Sequence, residues 1–481
     1  MGNEVELKLE IAADAFATLE QSGLLGPSAD DALLHATYYD TPDRHLRRHG
    51  ITLRIRREGT RLIQAVKSAK GASAGLFERG EWEFPVQKWR PVLDGRTPAL
   101  HALGNAQDTL AAQFDLVVHR NRFIITQDDT TVEVALDRGT ARMMDRANAF
   151  CEVELELMSG DPAALFALAR RIDAVAPVRI GTLGKSERGF RLLGPVKRAE
   201  KAGNIPLLTS HSPDMACAQV FAACLKQYRL NEAILLQRRE PEAVHQARVA
   251  LRRLRTARTV FADLLGPDRQ SRKLDSRLRI LGREYGKVRD LDVLIERTFD
   301  PATRAALITR RDRAYRHLAV VLGAPATRHL MLDLSEWIAL GPWRTAESSA
   351  AQRATALTTF AGHALNKRLS RVRKRGHHLA SLAESARHEL RKDVKKLRYA
   401  VEFFAALHAP PPAAKRRTKF LAALNDLQHH LGVLNDIHFE QEALGADRPD
   451  RSVEQEYHLK QASDARHALL DCKPFWEAAA R

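Results

Sequence analysis

Residues 3–10 read NEVELKLE, and this stretch decides the architecture. A strand turns successive side chains to opposite faces. Glu4, Glu6, Lys8 and Glu10 therefore share one face, and Val5, Leu7 and Leu9 take the other. Alone, such a strand reads as half-buried with a solvated outer side. The habit, however, recurs along the first two hundred residues. Eight segments read as strands, at roughly 3–10, 34–39, 51–57, 61–68, 78–84, 115–126, 130–138 and 150–158. Arg54 and Arg56 oppose Leu53 and Ile55, and Lys67 follows in IQAVKS. Arg79, Glu81 and Glu83 oppose Trp82 and Phe84, and Arg120 and Arg122 stand in VHRNRF. Glu133 and Asp137 oppose Val132, Val134 and Leu136, and Glu152, Glu154 and Glu156 oppose Val153, Leu155 and Leu157.

A solvated face mixes Thr, Ser, Gln and charges of both signs, whereas several of these strands carry almost pure acid or almost pure base. A closed sheet of about eight strands encloses an interior wide enough for side chains and one small ligand. Carboxylates gathered there repel one another unless cations lie between them, and clustered carboxylate oxygens suit the hard ions Mg²⁺ and Mn²⁺. Facing arginines and lysines in turn match phosphate oxygens. Acid, metal, phosphate and base together describe a triphosphate site.

At these residues the chain resembles the CYTH family of triphosphate tunnel metalloenzymes. EVELK carries that family's N-terminal ExExK signature in Glu4, Glu6 and Lys8. The likeness continues through YYDTPD, LRIR, VKS, Arg79 to Glu83, the Arg120/Arg122 pair, EVELEL and GKSERGFRL, over about 195 residues. It implies an eight-stranded antiparallel tunnel and metal-dependent attack of water on a terminal phosphate. Glu154 and Glu156, with Glu4 or Glu6, are then expected to hold the metal, and whichever of Glu4 and Glu6 is not a ligand orients the water. Lys8, Arg54, Arg56, Lys67, Arg79, Arg120 and Arg122 are expected to clamp phosphates, and Lys185 of GKSERG looks like the family's late phosphate-contacting lysine. Glu81, Glu83, Glu133 and Asp137 suit either a second metal or the ion-pairing of those arginines. Mg²⁺ is the expected ion, with Mn²⁺ as the other candidate.

Charge divides the chain. Residues 1–200 carry 27 Lys and Arg against 28 Asp and Glu, and the remaining 281 residues carry 49 against 31. Periodicity divides it at the same place, with short alternations before residue 200 and long helical patterns after 213. KAGNIPLLTSHSP between them reads as a linker, with Ser212-Pro213 as a helix start. The expected organisation is α+β and multidomain: a tunnel domain at 1–200, a linker at 201–212 and an all-α duplicated bundle at 213–481. The bundle would have two repeats at about 213–340 and 350–481.

The duplication is visible in HQARVALRRLRTARTVF from His245 and HELRKDVKKLRYAVEFF from His388. Positions 0, 3, 7 and 10 of each fall on one helix face, which gathers His245, Arg248, Arg252 and Arg255 in one copy and His388, Arg391, Lys395 and Arg398 in the other. Each helix is followed by a second repeated piece, YGKVRDLD around Asp290 and LGVLNDIH around Asp436, with His438 standing where the first copy has Asp292. These basic faces, poor in Asp and Glu, point to a polyanion site. The residues resemble the CHAD domain, a helical family implicated in binding inorganic polyphosphate, and CYTH followed by CHAD is a recurring arrangement.

The resemblance implies an inorganic triphosphatase acting on tripolyphosphate, with long-chain polyphosphate on the helices. Two other readings stay open: a nucleotide or thiamine triphosphatase of the same tunnel class, with Trp82 and Trp89 available to a base, and a non-catalytic polyanion or nucleic-acid binder. Stacking on single strands wants aromatics among the basic residues, and aromatics are 6% of the chain. No stretch approaches the roughly 20 apolar residues of a membrane span, and MGNEVELKLE lacks the features of a signal peptide. Cys151, Cys217, Cys224 and Cys472 show no metal or redox spacing and read as reduced thiols. The expected setting is cytoplasmic, in association with polyphosphate granules.

Overall fold

The computed structural model describes residues 3–69, 75–444 and 451–477, apart from the side chains of residues 3, 4, 69, 77–79 and 439–444. Nine strands form one sheet: β1 (Asn3–Ile11), β2 (Asp30–Asp40), β3 (Ile51–Glu58), β4 (Arg61–Ala69), β5 (Leu76–Val86), β6 (Ala111–Gln127), β7 (Thr130–Met143), β8 (Arg146–Ser159) and β9 (Val178–Ile180). Their order is β5-β4-β3-β2-β6-β7-β8-β1-β9. β1 also pairs β5 through Asn3–Leu7, and this closes eight antiparallel strands into a ring. The second half of β1 pairs β9 instead, Leu9 to Ile180 and Ile11 to Val178.

The ring is inside-out relative to an ordinary half-buried sheet. Its apolar faces turn outward and are buried beneath helices. Leu53, Ile55, Val66 and Val86 pack with Leu46 of α2 (His45–Arg48) and with Ala99 and Leu103 of α3 (Pro98–Leu103). On another flank α1 (Ala13–Gln21) and α4 (Ala163–Val175) bury Phe16, Leu165 and Phe166. The YYDTPD segment is a capping device. Asp40, fully buried, accepts from the amides of Thr41, Leu46 and Arg47 at 2.8–3.0 Å, and Thr41 Oγ1 accepts from the His45 amide at 2.8 Å. These bonds satisfy amides that a helix start leaves without intrahelical partners.

One end of the lumen is apolar. Tyr38, Phe114, Leu116, Val118, Ala141 and Phe150 meet Phe190 and Leu192 of α5 (Lys185–Leu192). The helix lies close enough that a Cβ on Gly189 would stand 2.0 Å from the Phe114 ring, which explains the glycine in GKSERG.

The helical part contains α6 (Pro213–Gln237), α7 (Pro241–Val260), α8 (Ala262–Leu265), α9 (Arg269–Arg297), α10 (Pro301–Gly323) and α11 (Pro325–Leu340). It continues through α12 (Ala350–Ala354), α13 (Leu357–Arg375), α14 (Glu384–Phe403), α15 (Pro411–Leu444) and α16 (Ser452–Asp471). α6 starts at Pro213, as the Ser212-Pro213 signal predicts. The chain divides into two compact units that cut across the division by charge. One unit joins residues 1–202 to 221–251 and 269–342; the other holds 203–220, 252–268 and 343–481. Within the first, α11 is tied to α4 and α9 by Asp333, which accepts from Arg170 at 2.8 Å and Arg277 at 2.5 Å. The four cysteines are free, and among the described residues no helix is long and apolar enough to cross a membrane.

Candidate active site

Strand register sets the site out in rungs. Across β7, β8 and β1, Glu133 stands beside Glu156 and Glu156 beside Glu6. One step on, Ala135, Glu154 and Lys8 align, and the next rung is Asp137, Glu152 and Glu10. Cβ atoms of such cross-strand neighbours lie about 4.5–5.5 Å apart, and like charges placed so destabilise the sheet. Cations answer them from within. Lys8 pairs with both Glu6 and Glu154. Arg120 donates to Asp137 at 2.7 and 2.6 Å and to Glu154 at 2.5 Å.

Around the ring, β8 lies four strands from β3, so the opposite wall carries Arg54, Arg56 and Lys67. Glu81 and Glu83 of β5 stand among these cations. Lys67 Nζ is 3.0 Å from Glu81, Arg56 is 3.1 Å from Glu83, and Arg54 is 3.9 and 3.8 Å from the two carboxylates. Of the four carboxylates open to either role, Glu81, Glu83 and Asp137 are thus ion-paired to the site's cations. Glu133 stands in the rung with Glu156 and Glu6. Arg122 pairs with Asp30 and is half-exposed. Glu4 and Arg79 sit on the ring as register partners, but their side chains lie outside the described residues.

Lys185, the first residue of α5, is not on a surface loop. Its buried ammonium lies 2.7 Å from Asp137, 2.5 Å from Glu152 and 2.5 Å from Glu154. Those three carboxylates each offer an oxygen within 4.8 Å of the others, a spacing that would suit a metal ion, and Lys185 already supplies a cation to all three. A phosphate contact from this lysine would have to be shared with them. Glu152 and Glu10, which share the alternating face, join the site although only their neighbours were expected in it.

The electrostatics follow the pairing. Burial raises the Glu154 carboxyl, but Lys185, Lys8 and Arg120 hold it well below the usual carboxylate range. Asp137 is likewise desolvated and held low by Lys185 and Arg120. Burial opposes the charge of Lys8, yet Glu154 and Glu6 leave its pKa above that of an ordinary lysine. Arg56 moves the other way, pulled down by burial and by Arg54 beside it. Of the two residues kept for a base, Trp82 turns to the outer face and packs on the apolar cluster there, while Trp89 lies near His35 with ring centroids 5.2 Å apart.

The helical basic residues are less bare than their sequence suggests. In the first unit Arg248 donates to Asp290 at 3.1 Å and to the Gly286 carbonyl at 3.4 Å; His245 belongs to the same unit. In the second unit Arg398 donates to Gln428 at 2.9 Å and Glu402 at 2.8 Å, and His388 Nδ1 lies 2.7 Å from Asn435 Oδ1. Arg391 is desolvated with Asp436 and Arg252 nearby, which lowers its pKa overall. Arg252, Arg255 and Lys395 are part-buried in that unit. The faces poor in acid along their own helices therefore receive acid from α9 and α15. Gly286 and Gly432 occupy matching places in the two copies, and an added Cβ would stand 3.3 Å from Arg248 and 3.9 Å from Arg391. The Asp292/His438 difference has structural content. Asp292 is buried against the Tyr315 hydroxyl and pushed up by burial, whereas His438 faces Glu384 at 2.6 Å.

Known proteins resemble both parts of the chain. An inorganic triphosphatase of Haemophilus influenzae is 26% identical over 195 residues, which are 40% of this chain and 55% of that protein. The chain spans about half the length of that curated relative. Among solved structures, the CHAD domain of the plant Ricinus communis is 24% identical with a TM-score of 0.47, covering 57% of this chain and 98% of that one. A Hippeastrum protein with a dominant triphosphatase activity is 17% identical with a TM-score of 0.30, covering 39% of this chain and 95% of that one. Residues 2–190 match the CYTH domain and residues 219–445 the CHAD domain. The family matches thus place a CYTH domain in the first part of the chain and a CHAD domain after it.

Proposed function

We propose that the tunnel is a metal-dependent inorganic triphosphatase that splits tripolyphosphate into pyrophosphate and phosphate, and that the helical region binds inorganic polyphosphate. The observation that carries the first reading is the opposition of two walls in one lumen: the aligned carboxylates of Glu133, Glu156 and Glu6, and the cations Arg54, Arg56 and Lys67 across from them. The Haemophilus influenzae relative, an inorganic triphosphatase, supports it. So does the outward packing of Trp82, which removes one surface on which a base could stack.

Carboxylates brought side by side by strand register are the donor type that a hard divalent ion takes. Glu6, Glu133, Glu154 and Glu156, with Glu4 on the same strand face, would hold Mg²⁺ or Mn²⁺, whose charge offsets that developing on the phosphate oxygens. Asp137 lies two rungs on from Glu133 and, like Glu154, is engaged by Arg120 and Lys185, so a metal there would share these carboxylates with the two cations. Lys8, Arg54, Arg56, Lys67, Arg79, Arg120 and Arg122 draw the phosphates into line, and cations held in place by ion pairs, such as Lys8 and Arg120, reduce the reorganisation needed at reaction. Glu4 or Glu6 accepts a hydrogen bond from the attacking water. The water oxygen bonds to the terminal phosphorus, the anhydride P–O bond breaks, and pyrophosphate departs with its electron pair.

Phosphate release from tripolyphosphate, ATP and thiamine triphosphate, with Mg²⁺ and with chelator, tests the reading. Fast Mg²⁺-dependent release from tripolyphosphate alone is expected. Preference for ATP or thiamine triphosphate would move the assignment to an organic triphosphate. For the helices, the support is the paired recurrence of His245, Arg248, Arg252 and Arg255 in His388, Arg391, Lys395 and Arg398. A chain with both properties would work on cytoplasmic polyphosphate granules.

A further inference from the structure

Glu10 is the last lumen-facing charge of β1, and like Glu6 it belongs to a rung of three carboxylates. It aligns with Glu152, which aligns with Asp137. Three neighbouring carboxylates stay ionised together only where cations lie among them. Lys185 serves Asp137 and Glu152, and Arg188 lies 3.5 Å from Glu152 and 3.2 Å from Glu10. With Arg120 on Asp137, the tunnel's own cations reach every member of the rung, and a further cation comes from outside the tunnel sequence. Arg229 of α6, almost fully buried, lies 3.2 Å from the other oxygen of Glu10. Its Nε donates to the Ile180 carbonyl of β9 at 3.0 Å, and its far nitrogen pairs with Glu232. All these residues belong to one compact unit.

We propose that Arg229, supplied by the helical region, is a positioning residue of the tunnel. It acts through a relay of alternating charge, from Arg229 to Glu10, Arg188, Glu152, Lys185 and Glu154. With Arg229 on one oxygen of Glu10, Arg188 can serve Glu152 as well. Remove Arg229, and Glu10 draws Arg188 away from its longer contact. Glu152 then competes for Lys185, and Lys185 leaves Glu154, the carboxylate shared by Lys8 and Arg120. The effect reaches the phosphate-binding cations with no contact between Arg229 and substrate. The inference rests on the triphosphatase reading and adds to it that the catalytic unit extends into the helices.

The test is steady-state hydrolysis of tripolyphosphate by the full chain. Arg229→Met should lower kcat about ten-fold with KM within two-fold of wild type, and Arg229→Lys should restore most of the loss. Glu10→Gln/Arg229→Met should turn over within two-fold of Glu10→Gln alone, because a neutral amide in place of the carboxylate no longer pulls on Arg188. Asp333→Asn weakens helix-to-tunnel packing without touching the relay, so it should lower Tm and leave kcat unchanged. Wild-type kcat in Arg229→Met overturns the inference, as does an equal kcat loss in Asp333→Asn. If Arg229→Met is not recovered folded, a double variant no better than one-tenth of Glu10→Gln overturns it too. A wild-type protein inert towards every triphosphate would instead overturn the functional reading beneath it.

Discussion

Arg54 and Arg120 make different demands on the molecule although both line the lumen. Arg120 holds Asp137 and Glu154 by short charge-assisted bonds, and removing it leaves two buried carboxylates to Lys8 and Lys185 alone, a loss smaller than the roughly 3–5 kcal/mol of a wholly uncompensated buried charge. The nearest carboxylates to Arg54 are 3.8 and 3.9 Å away, so it is the looser of the two and better placed to receive a phosphate. Arg54→Ala should therefore reduce kcat/KM for tripolyphosphate by about 1–3 kcal/mol, the range of a charged hydrogen bond, with little change in Tm. Arg120→Ala should lose both activity and thermal stability. Kinetics and melting of the two variants check this, and unaltered turnover in Arg54→Ala would place that side chain outside the substrate's reach. At this scale the alternation in NEVELKLE and EVELEL made the charged face legible, but alternation does not supply register. The engagement of Lys185 with Glu152 depends on which residues align, so it could not be read. Arg229 left little trace in the sequence: Arg229, Asn231 and Glu232 are buried charged or polar positions of α6, a helix that carries other polar residues as well.

Elements were the most legible level. Each of the eight expected strands is present, because a face that must be apolar throughout and a face that must be charged throughout leave little choice of phase. The paired strands β6, β7 and β8 run longer than their alternation, since cross-strand hydrogen bonding continues where the pattern has faded. β9, only three residues, has no periodicity to find, and α5 reveals its burial through Gly189 rather than through any apolar stripe. Helix docking shows the same dependence on partners distant in sequence. Asp333 of α11 is partly desolvated, which raises its carboxyl, but hydrogen bonds from Arg170 and Arg277 outweigh that and hold its pKa below the ordinary value. A depressed carboxylate stabilises the fold above the unfolded value of about 3.9 and loses that contribution as pH falls through its folded value. Asp333→Asn should be less stable than wild type by about 1 kcal/mol at pH 7, a figure kept small because the site is partly exposed. The difference should narrow from about pH 4 downward. Urea unfolding at pH 7 and pH 3 checks it, and a constant difference would exclude the linkage.

At the scale of the whole molecule, charge and packing divide the chain differently. The near-neutral first 200 residues share a compact unit with α9, α10 and α11, and the excess of positive charge lies in residues 201–481 of both units. Composition could show the charge boundary; it could not show that Glu10 and Asp173 find Arg229 and Arg328 more than 150 residues later. Binding of a base-free polyanion by the helices predicts a steep loss of affinity with salt, by analogy with counterion release from nucleic acids. Replacing Arg248, Arg252, Arg391 and Lys395 together by Ala should remove most polyphosphate binding. Single-stranded DNA that competes equally per phosphate would make the helical region a general polyanion binder.

The proposed hydrolysis of tripolyphosphate depends on the aligned carboxylates of the lumen. ³¹P NMR of tripolyphosphate with Mg²⁺ and either wild type or Glu156→Gln tests it most directly. Equimolar pyrophosphate and phosphate should accumulate with wild type, and Glu156→Gln, folded to the same circular dichroism spectrum, should leave tripolyphosphate intact. Equal product from the folded variant would contradict the account.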